Sequence, residues 1–100
     1  DFESTATHMR KAVELRPSYA AAHYMLGTAL KQKGELDSAL RALREAVRLD
    51  ASDPGPHNTI GQILKMQGDL EGSRLAFAEG SRLKHSREAE QARMLRSGKR

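Results

Sequence analysis

Apolar residues recur along this chain at spacings of three and four, which places their side chains on one face of an α-helix. The clearest series is Leu36, Ala39, Leu40, Leu43, Ala46 and Val47. Gly34 and Gly68 come after such series, at positions where a glycine can end a helix in a left-handed turn. Asp53 is suited to cap the next helix, and Pro54 suits its first turn, where no N–H donor is needed. The pattern predicts helices at 2–15, 20–33, 36–50, 54–67, 70–84 and 87–96, and short linkers make neighbouring helices antiparallel.

The helical pattern itself repeats along the chain. Residues 20–53 laid over residues 54–87 share 11 identities. The identical pairs are His23/His57, Gly27/Gly61, Leu30/Leu64, Lys31/Lys65, Gly34/Gly68, Leu36/Leu70, Ala42/Ala76, Glu45/Glu79, Arg48/Arg82, Leu49/Leu83 and Ser52/Ser86. The same register extends backwards, since Met9 lies one repeat length before Leu43. A repeat of this length is typical of stacked helical architectures.

The residue types at these positions resemble the tetratricopeptide repeat (TPR) family, whose unit is a 34-residue helix–turn–helix. The matches are the Leu-Gly pairs Leu26-Gly27 and Ile60-Gly61, the small residues Ala39 and Ser73, and the large residues Leu43 and Phe77. The sequence departs from the family at His23 and His57, where the family often has Trp. The resemblance covers about residues 1–87. It implies an all-α fold, a right-handed superhelical solenoid of antiparallel helix pairs.

The repeat register predicts a single TPR domain over residues 1–100. Its parts are a half-repeat helix at 1–16, complete repeats at 20–53 and 54–85, a capping helix at 86–97 that Ser86 begins, and a basic tail at 98–100. The helix at 1–16 has no first helix before it in this sequence. We therefore expect Phe2, Met9 and Val13 to be partly exposed, and self-association or a rearranged N-terminal contact to cover them.

Composition narrows the class of protein further. The chain has no Cys, which excludes disulfides, thiolate metal ligands and a Cys nucleophile. No apolar run approaches the roughly 20 residues of a membrane span, and no signal peptide is visible. Because the chain begins with Asp1 rather than Met, we expect it to be a piece of a longer protein. We expect it to be soluble, and its compartment stays open.

The positive charge is concentrated at the C-terminal end. Residues 1–81 carry 10 basic and 11 acidic groups, whereas residues 82–100 carry seven basic groups against Glu88 and Glu90. A basic helix of this kind binds nucleic acid or an anionic surface in some proteins. No aromatic stacking residue accompanies these charges, so a solvated helix is the favoured interpretation.

The sequence carries no pattern typical of an enzyme. It contains neither a Gly-x-Ser-x-Gly elbow nor a phosphate-binding Gly-rich loop. His23 and His57 occupy equivalent positions in adjacent repeats, but no carboxylate or Cys joins them at ligand spacing. They are predicted to fill the slot of the family's bulky residue. We therefore expect a non-catalytic protein with no cofactor, metal or small-molecule substrate.

The resemblance implies that the first helix of each repeat lines a concave groove that binds partner proteins. The residues of these helices that face away from the core are Tyr24, Thr28, Lys31, Asn58, Gln62 and Lys65. Amide groups bond a peptide backbone, and the two lysines favour acidic groups. The family's clamp for chaperone C-termini is not matched, since Tyr24 and Thr28 stand where it needs Lys and Asn. The alternatives are anionic binding by the C-terminal helix, or a spacer or oligomerisation segment without its own ligand.

Overall fold

Five α-helices build the part of the chain that the structure, a computed structural model, describes, which is residues 1–98. They are α1 Phe2–Leu15, α2 Ala20–Lys33, α3 Leu36–Leu49, α4 Pro54–Met66 and α5 Leu70–Ser97. The helices form a right-handed superhelical solenoid of antiparallel pairs that measures 49 × 35 × 22 Å. Of the basic tail expected at 98–100, residues 99 and 100 lie outside the described residues.

Glycines and aspartates fix the helix ends at the positions that the sequence predicts. Gly34 and Gly68 adopt φ values of 87° and 85°. At each, the residue after the glycine donates its N–H to a carbonyl five residues earlier, which satisfies the last turn of the helix. Asp53 accepts the backbone N–H of Gly55 at 2.9 Å, and Asp69 accepts that of Gly72 at 2.9 Å. The bounds of α1 to α4 therefore agree with the predicted helices to within one residue.

The apolar faces of the helices meet in one continuous core. Helix α2 packs mainly against α3, and α4 packs mainly against α5, while α3 also contacts α4. Helix α1 precedes the first pair in the chain and packs against α2. The buried core residues are Ala6, Leu26, Ala29, Leu30, Ala39, Leu40, Ala42, Leu43, Ile60 and Ile63.

Within each pair, a glycine of the first helix lets the second helix approach closely. A Cβ placed on Gly27 would lie 2.5 Å from the Cγ of Leu43 and 3.2 Å from the carbonyl oxygen of Ala39. A Cβ placed on Gly61 would lie 2.9 Å from the ring of Phe77. Real Cβ atoms essentially never come within 3.0 Å of such a neighbour. Each large side chain therefore fills the space that the missing methyl group of the facing glycine leaves.

The small residues of the second helices face the first helices at the same level. Ala39 is 0% exposed and Ser73 is 4% exposed. The hydroxyl of Ser73 donates to the carbonyl oxygen of Gly61 at 2.7 Å, so its buried polar group is satisfied. These positions leave room for the facing backbone, as the family pattern implies.

The prediction of a separate capping helix at 86–97 is wrong, because residues 70–97 form one continuous helix. At the start of the second repeat, Asp53 caps α4, and Pro54 disfavours helical geometry in the residue before it. The matching positions one repeat later hold Arg87 and Glu88, which provide neither the cap nor the break. An ion pair between Glu90 and Arg93 adds local support for the helix.

Helix α5 has one covered face within the described residues. It contacts α4 alone, whereas α3 contacts both α2 and α4. Leu70, the repeat partner of the apolar-face residue Leu36, is consequently 67% exposed. Leu83 is the last buried residue, and every described residue after it is exposed.

The partial exposure predicted for α1 is confirmed. Phe2 is 52% exposed, and Met9 and Val13 are half-buried. Ala6 is fully buried on the side of α1 that faces α2. The described residues thus cover one side of α1 and leave part of its apolar face open.

The close approach at Gly27 predicts that Gly27→Ala destabilises the protein. The added methyl group overpacks the contact with Leu43, and we expect the free energy of unfolding to fall by about 1–3 kcal/mol. Ala21→Gly, at an exposed position of the same helix, measures the helix-propensity effect of a glycine alone, about 1 kcal/mol. Urea unfolding followed by circular dichroism checks both changes. Stabilisation by Gly27→Ala, as at an exposed helical glycine, would contradict the packing account.

The exposure of the C-terminal half of α5 predicts that this half contributes little to stability. A chain that ends at His85 retains Leu83, the last buried residue, and loses exposed side chains only. We expect its free energy of unfolding to differ from that of the full chain by about 0.5 kcal/mol or less, as for surface changes in general. Urea unfolding of the two chains provides the measurement. A loss of more than about 2 kcal/mol, typical of removed core packing, would show that residues 86–98 cover the core.

Candidate functional site

A hydrogen bond joins the first helices of the two repeats on their exposed side. The ammonium Nζ of Lys31 on α2 donates to the amide Oε1 of Gln62 on α4 at 2.7 Å. Lys31 is half-buried, while Gln62 and Lys65 are exposed one helical turn apart. We call the surface formed by Lys31, Gln62 and Lys65 the α2–α4 surface. The structure thus brings together three of the six residues that the sequence singles out.

The α2–α4 surface carries positive charge that no carboxylate neutralises within residues 1–98. Gln62 is uncharged, so the bond with Lys31 orients the ammonium group but leaves its charge in place. Neither Lys31 nor Lys65 forms an ion pair with any described residue. A ligand with negative charge would therefore meet two cations here, one of them held in position by a neighbouring helix.

Lys33, near the end of α2, differs from these lysines because it is already ion-paired. Its ammonium lies 2.9 Å from Glu3 and 2.9 Å from Glu35. Hydrogen bonds to Glu3 and then to Glu35 raise the pKa of Lys33, and its hydrogen bond lowers the pKa of Glu35. This cluster ties α1 to the turn between α2 and α3, so Lys33 has a structural role.

Tyr24 and Thr28 line a different feature, an apolar recess between α1 and α2. The ring of Tyr24 also lies against α4, since a Cβ on Gly55 would be 2.6 Å from its hydroxyl oxygen. Thr28 donates its hydroxyl to the backbone carbonyl of Tyr24 at 3.0 Å. The recess has a volume of about 340 Å³ and is lined by Phe2, Thr5, Tyr24, Met25, Thr28, Ala29 and Gln32. We call it the N-terminal recess.

Five of the recess residues lie outside the six that the sequence predicts for the groove. They are Phe2, Thr5, Met25, Ala29 and Gln32. The signal that could have found them is the repeat register, because within residues 1–98 no first helix precedes α1 to cover this side of α2. Met25 is 50% exposed for this reason.

Asn58 is exposed, but its side chain turns toward α5 rather than along the α2–α4 surface. A Cβ placed on Gly80 would overlap the amide oxygen of Asn58. Glycine at position 80 therefore makes room for this amide beside the last helix. The first repeat has Ala46 at the matching position, which is buried.

The histidines do not assemble a metal site in the described residues. One ring nitrogen of His23 lies 2.9 Å from the carbonyl oxygen of Pro17, so this side chain is bonded to the loop before α2. No group of three or more His, Cys, Asp or Glu residues within 1–98 is placed to bind a metal ion. None of the five helices combines the length and the hydropathy that crossing a membrane requires.

The basic residues of α5 are partly paired along the helix. Arg82 lies 2.5 Å from Glu79, and Arg93 pairs with Glu90. Hydrogen bonds from Arg82 lower the pKa of Glu79. Two of the basic residues of α5 are thus paired with glutamates, which weakens the attraction of the helix for a polyanion.

Comparison with known proteins identifies the repeat type. A family model described as TPR repeat matches residues 27–68, and a second described as Tetratricopeptide repeat matches residues 8–41. Together the two matches span residues 8–68, from α1 to the end of α4. No curated protein matches the chain.

Solved structures share this fold at low sequence identity. A crystal structure of MamA superposes with a TM-score of 0.84 at 19% identity, covering 88% of this chain and 52% of that one. A double mutant of MamA RS-1 gives 0.81 at 23% identity, covering 88% and 49%. MamA 41-end from Desulfovibrio magneticus RS-1 gives 0.80 at 24% identity, covering 85% and 48%.

This chain spans about half the length of these structures. At such identities the likeness concerns the fold. The family matches, the repeat register and the paired helices together show that the chain belongs to the tetratricopeptide repeat family.

Proposed function

We propose that the protein is a non-catalytic interaction scaffold that binds an acidic peptide or a partner helix along the groove formed by α2 and α4. The observation that carries this proposal is the bond between Lys31 and Gln62, which spans the two repeats. It holds one cation in place beside a second, Lys65, without neutralising either. Surfaces of stacked helical repeats are extended and suit elongated partners.

The six groove residues take different parts in this proposal. Lys31 and Lys65 attract carboxylates of the partner, either acidic side chains or a C-terminus. Gln62 offers its amide group to a peptide backbone. Asn58 turns toward α5, so its amide borders the groove rather than lying in it. Tyr24 and Thr28 flank the groove at its α1 end, where the phenol ring offers apolar contact with a polar tip.

The other interpretations have weaker support. Binding of nucleic acid or an anionic surface by α5 is disfavoured by the pairing of Arg82 and Arg93 with glutamates. The bond from Lys31 to Gln62 has no ligand-binding purpose in a spacer segment that binds nothing. Both alternatives predict that changing Lys31 and Lys65 has no specific effect on binding, whereas the groove proposal predicts a loss of affinity.

Selection from a random peptide library tests the proposal. We expect the 100-residue chain to enrich peptides rich in Asp and Glu. Lys31→Glu/Lys65→Glu should lower their affinity by about tenfold or more, equivalent to about 1.4 kcal/mol. Fluorescence anisotropy with a labelled peptide provides the measurement.

Lys11→Glu/Lys84→Glu is the matched control, because it changes the net charge equally at exposed positions on α1 and α5. We expect the control to bind within about twofold of the original chain at moderate salt, where distant charges are screened. Equal loss in both variants would place the effect in net charge or in the basic residues of α5 rather than in the groove. Equal retention in both, or no enrichment of acidic peptides, would remove the groove from consideration.

A further inference from the structure

A second hydrogen bond joins α4 to the preceding helix pair, α2 and α3, beyond the bond between Lys31 and Gln62. The amide Nε2 of Gln67, at the end of α4, donates to the carboxylate Oδ1 of Asp37 at 3.1 Å. Asp37 lies in the first turn of α3. Helix α4 is therefore joined to the preceding pair through a cation at one point and through an anion little more than one helical turn away.

The carboxylate of Asp37 keeps its charge, as the ammonium group of Lys31 does. Gln67 is uncharged, so its amide orients Asp37 without neutralising it. Asp37 is exposed, and it forms no ion pair with any residue in the range 1–98. A positive and a negative group thus lie at separate, defined points along the same side of α4.

Met66 lies between these two bonds. It follows Gln62 by one helical turn and directly precedes Gln67, so it shares the side of α4 that faces the preceding pair. The matching residue of α2, Gln32, lines the recess toward α1, which shows the same orientation one repeat earlier. Met66 is nevertheless 61% exposed. An apolar side chain is therefore open to solvent between a cation and an anion.

The exposure of Met66 does not depend on where the sequence begins or ends. The helices that border it, α2, α3 and α4, all lie within residues 20–66. First helices before α1 or after α5 would pack on the far sides of α2 and α4, because α2 and α4 already lie beside each other. Residues 82–100 carry excess positive charge, which Lys31 and Lys65 repel. These features favour a segment of a separate protein as the ligand.

The spacing along α4 sets the spacing in such a ligand. A helix rises about 1.5 Å per residue, so Gln62 and Met66 lie about 6 Å apart along the axis. An extended peptide advances about 3.3 Å per residue, so alternate side chains on one face are about 6.6 Å apart. An acidic residue that meets Lys31 therefore places the side chain two positions further on beside Met66. The residues after it lie toward Asp37.

We propose that the α2–α4 surface, together with Met66 and Asp37, binds a bipolar peptide segment of a partner protein, in which an apolar residue separates acidic residues from basic ones. The acidic residues meet Lys31, the apolar residue packs on Met66, and a basic residue meets Asp37. The thioether of methionine is flexible and polarisable, so it accepts apolar side chains of several shapes. This inference rests on the proposed function and names two further requirements of the same ligand.

Three synthetic peptides with capped ends test these requirements. The first is Glu-Glu-Ser-Leu-Lys-Lys, the second has serine in place of the leucine, and the third has glutamines in place of the lysines. Binding to the 100-residue chain is followed by fluorescence anisotropy of a dye on each peptide. We expect the first peptide to bind about fivefold tighter than the second, because leucine buries apolar area. We expect about threefold over the third, since an exposed ion pair contributes little.

Variants of the protein assign each preference to a residue. Met66→Ser should abolish the preference for leucine over serine, and Asp37→Asn should abolish the preference for lysine over glutamine. Met94→Ser and Glu14→Gln are the matched controls, since Met94 is 64% exposed on α5 and Glu14 is exposed on α1. Both controls should leave the two preferences unchanged. Circular dichroism verifies that all four variants fold.

The Lys31→Glu/Lys65→Glu variant separates this inference from the proposed function. Equal binding of the three peptides, or preferences that persist in Met66→Ser and Asp37→Asn, would overturn the bipolar ligand. If the lysine variant then still loses affinity for every peptide, the groove binds acidic residues alone and the proposed function stands. Absence of binding by all three peptides, or full binding by the lysine variant, would overturn both.

The same titration on the protein from its natural source tests where the ligand comes from. With any flanking residues in place, we expect the first peptide to bind within about twofold of its affinity for the 100-residue chain, since only a bound flanking segment would compete with it. Loss of binding in the natural protein would assign the surface to a flanking segment of the same protein and overturn the choice of a partner.

Discussion

Gly27 of α2 lies against Leu43 of α3, and Gly61 of α4 lies against Phe77 of α5 in the same way. A large side chain can sit beside a helix backbone only where that helix has no side chain of its own. This contact sets the distance between the helices of each pair. The contact recurs in both repeats, and the first helices α2 and α4 lie side by side. The α2–α4 surface follows from that arrangement.

The sequence predicts the first four helices well because local chemistry fixes their ends. Gly34 and Gly68 allow a left-handed turn, and Asp53 with Pro54 starts a new helix. The same reasoning explains why the predicted start of a new helix at Ser86 is wrong. A serine is a weak signal where the following residues favour helix and no proline interrupts it. The extent of α5 depends on that missing break, which the matching of repeat positions alone does not reveal.

The candidate site was only partly predictable for a different reason. Helical spacing places Tyr24, Lys31 and Asn58 on the exposed sides of their helices, but it does not say which neighbour each side chain turns toward. Lys31 reaches the next repeat because Gln62 offers an acceptor at the right distance. Asn58 turns to α5 because Gly80 leaves space there. These side-chain orientations depend on packing between the helices, which the periodicity of the sequence does not specify.

The glycine contacts set the geometry of both helix pairs, and nuclear Overhauser spectroscopy detects such contacts in solution. We expect cross-peaks from the Hα protons of Gly27 to the methyl groups of Leu43. We also expect cross-peaks from the Hα protons of Gly61 to the ring protons of Phe77. Chemical shifts typical of helix over α2 to α5, without either set of cross-peaks, would contradict this packing.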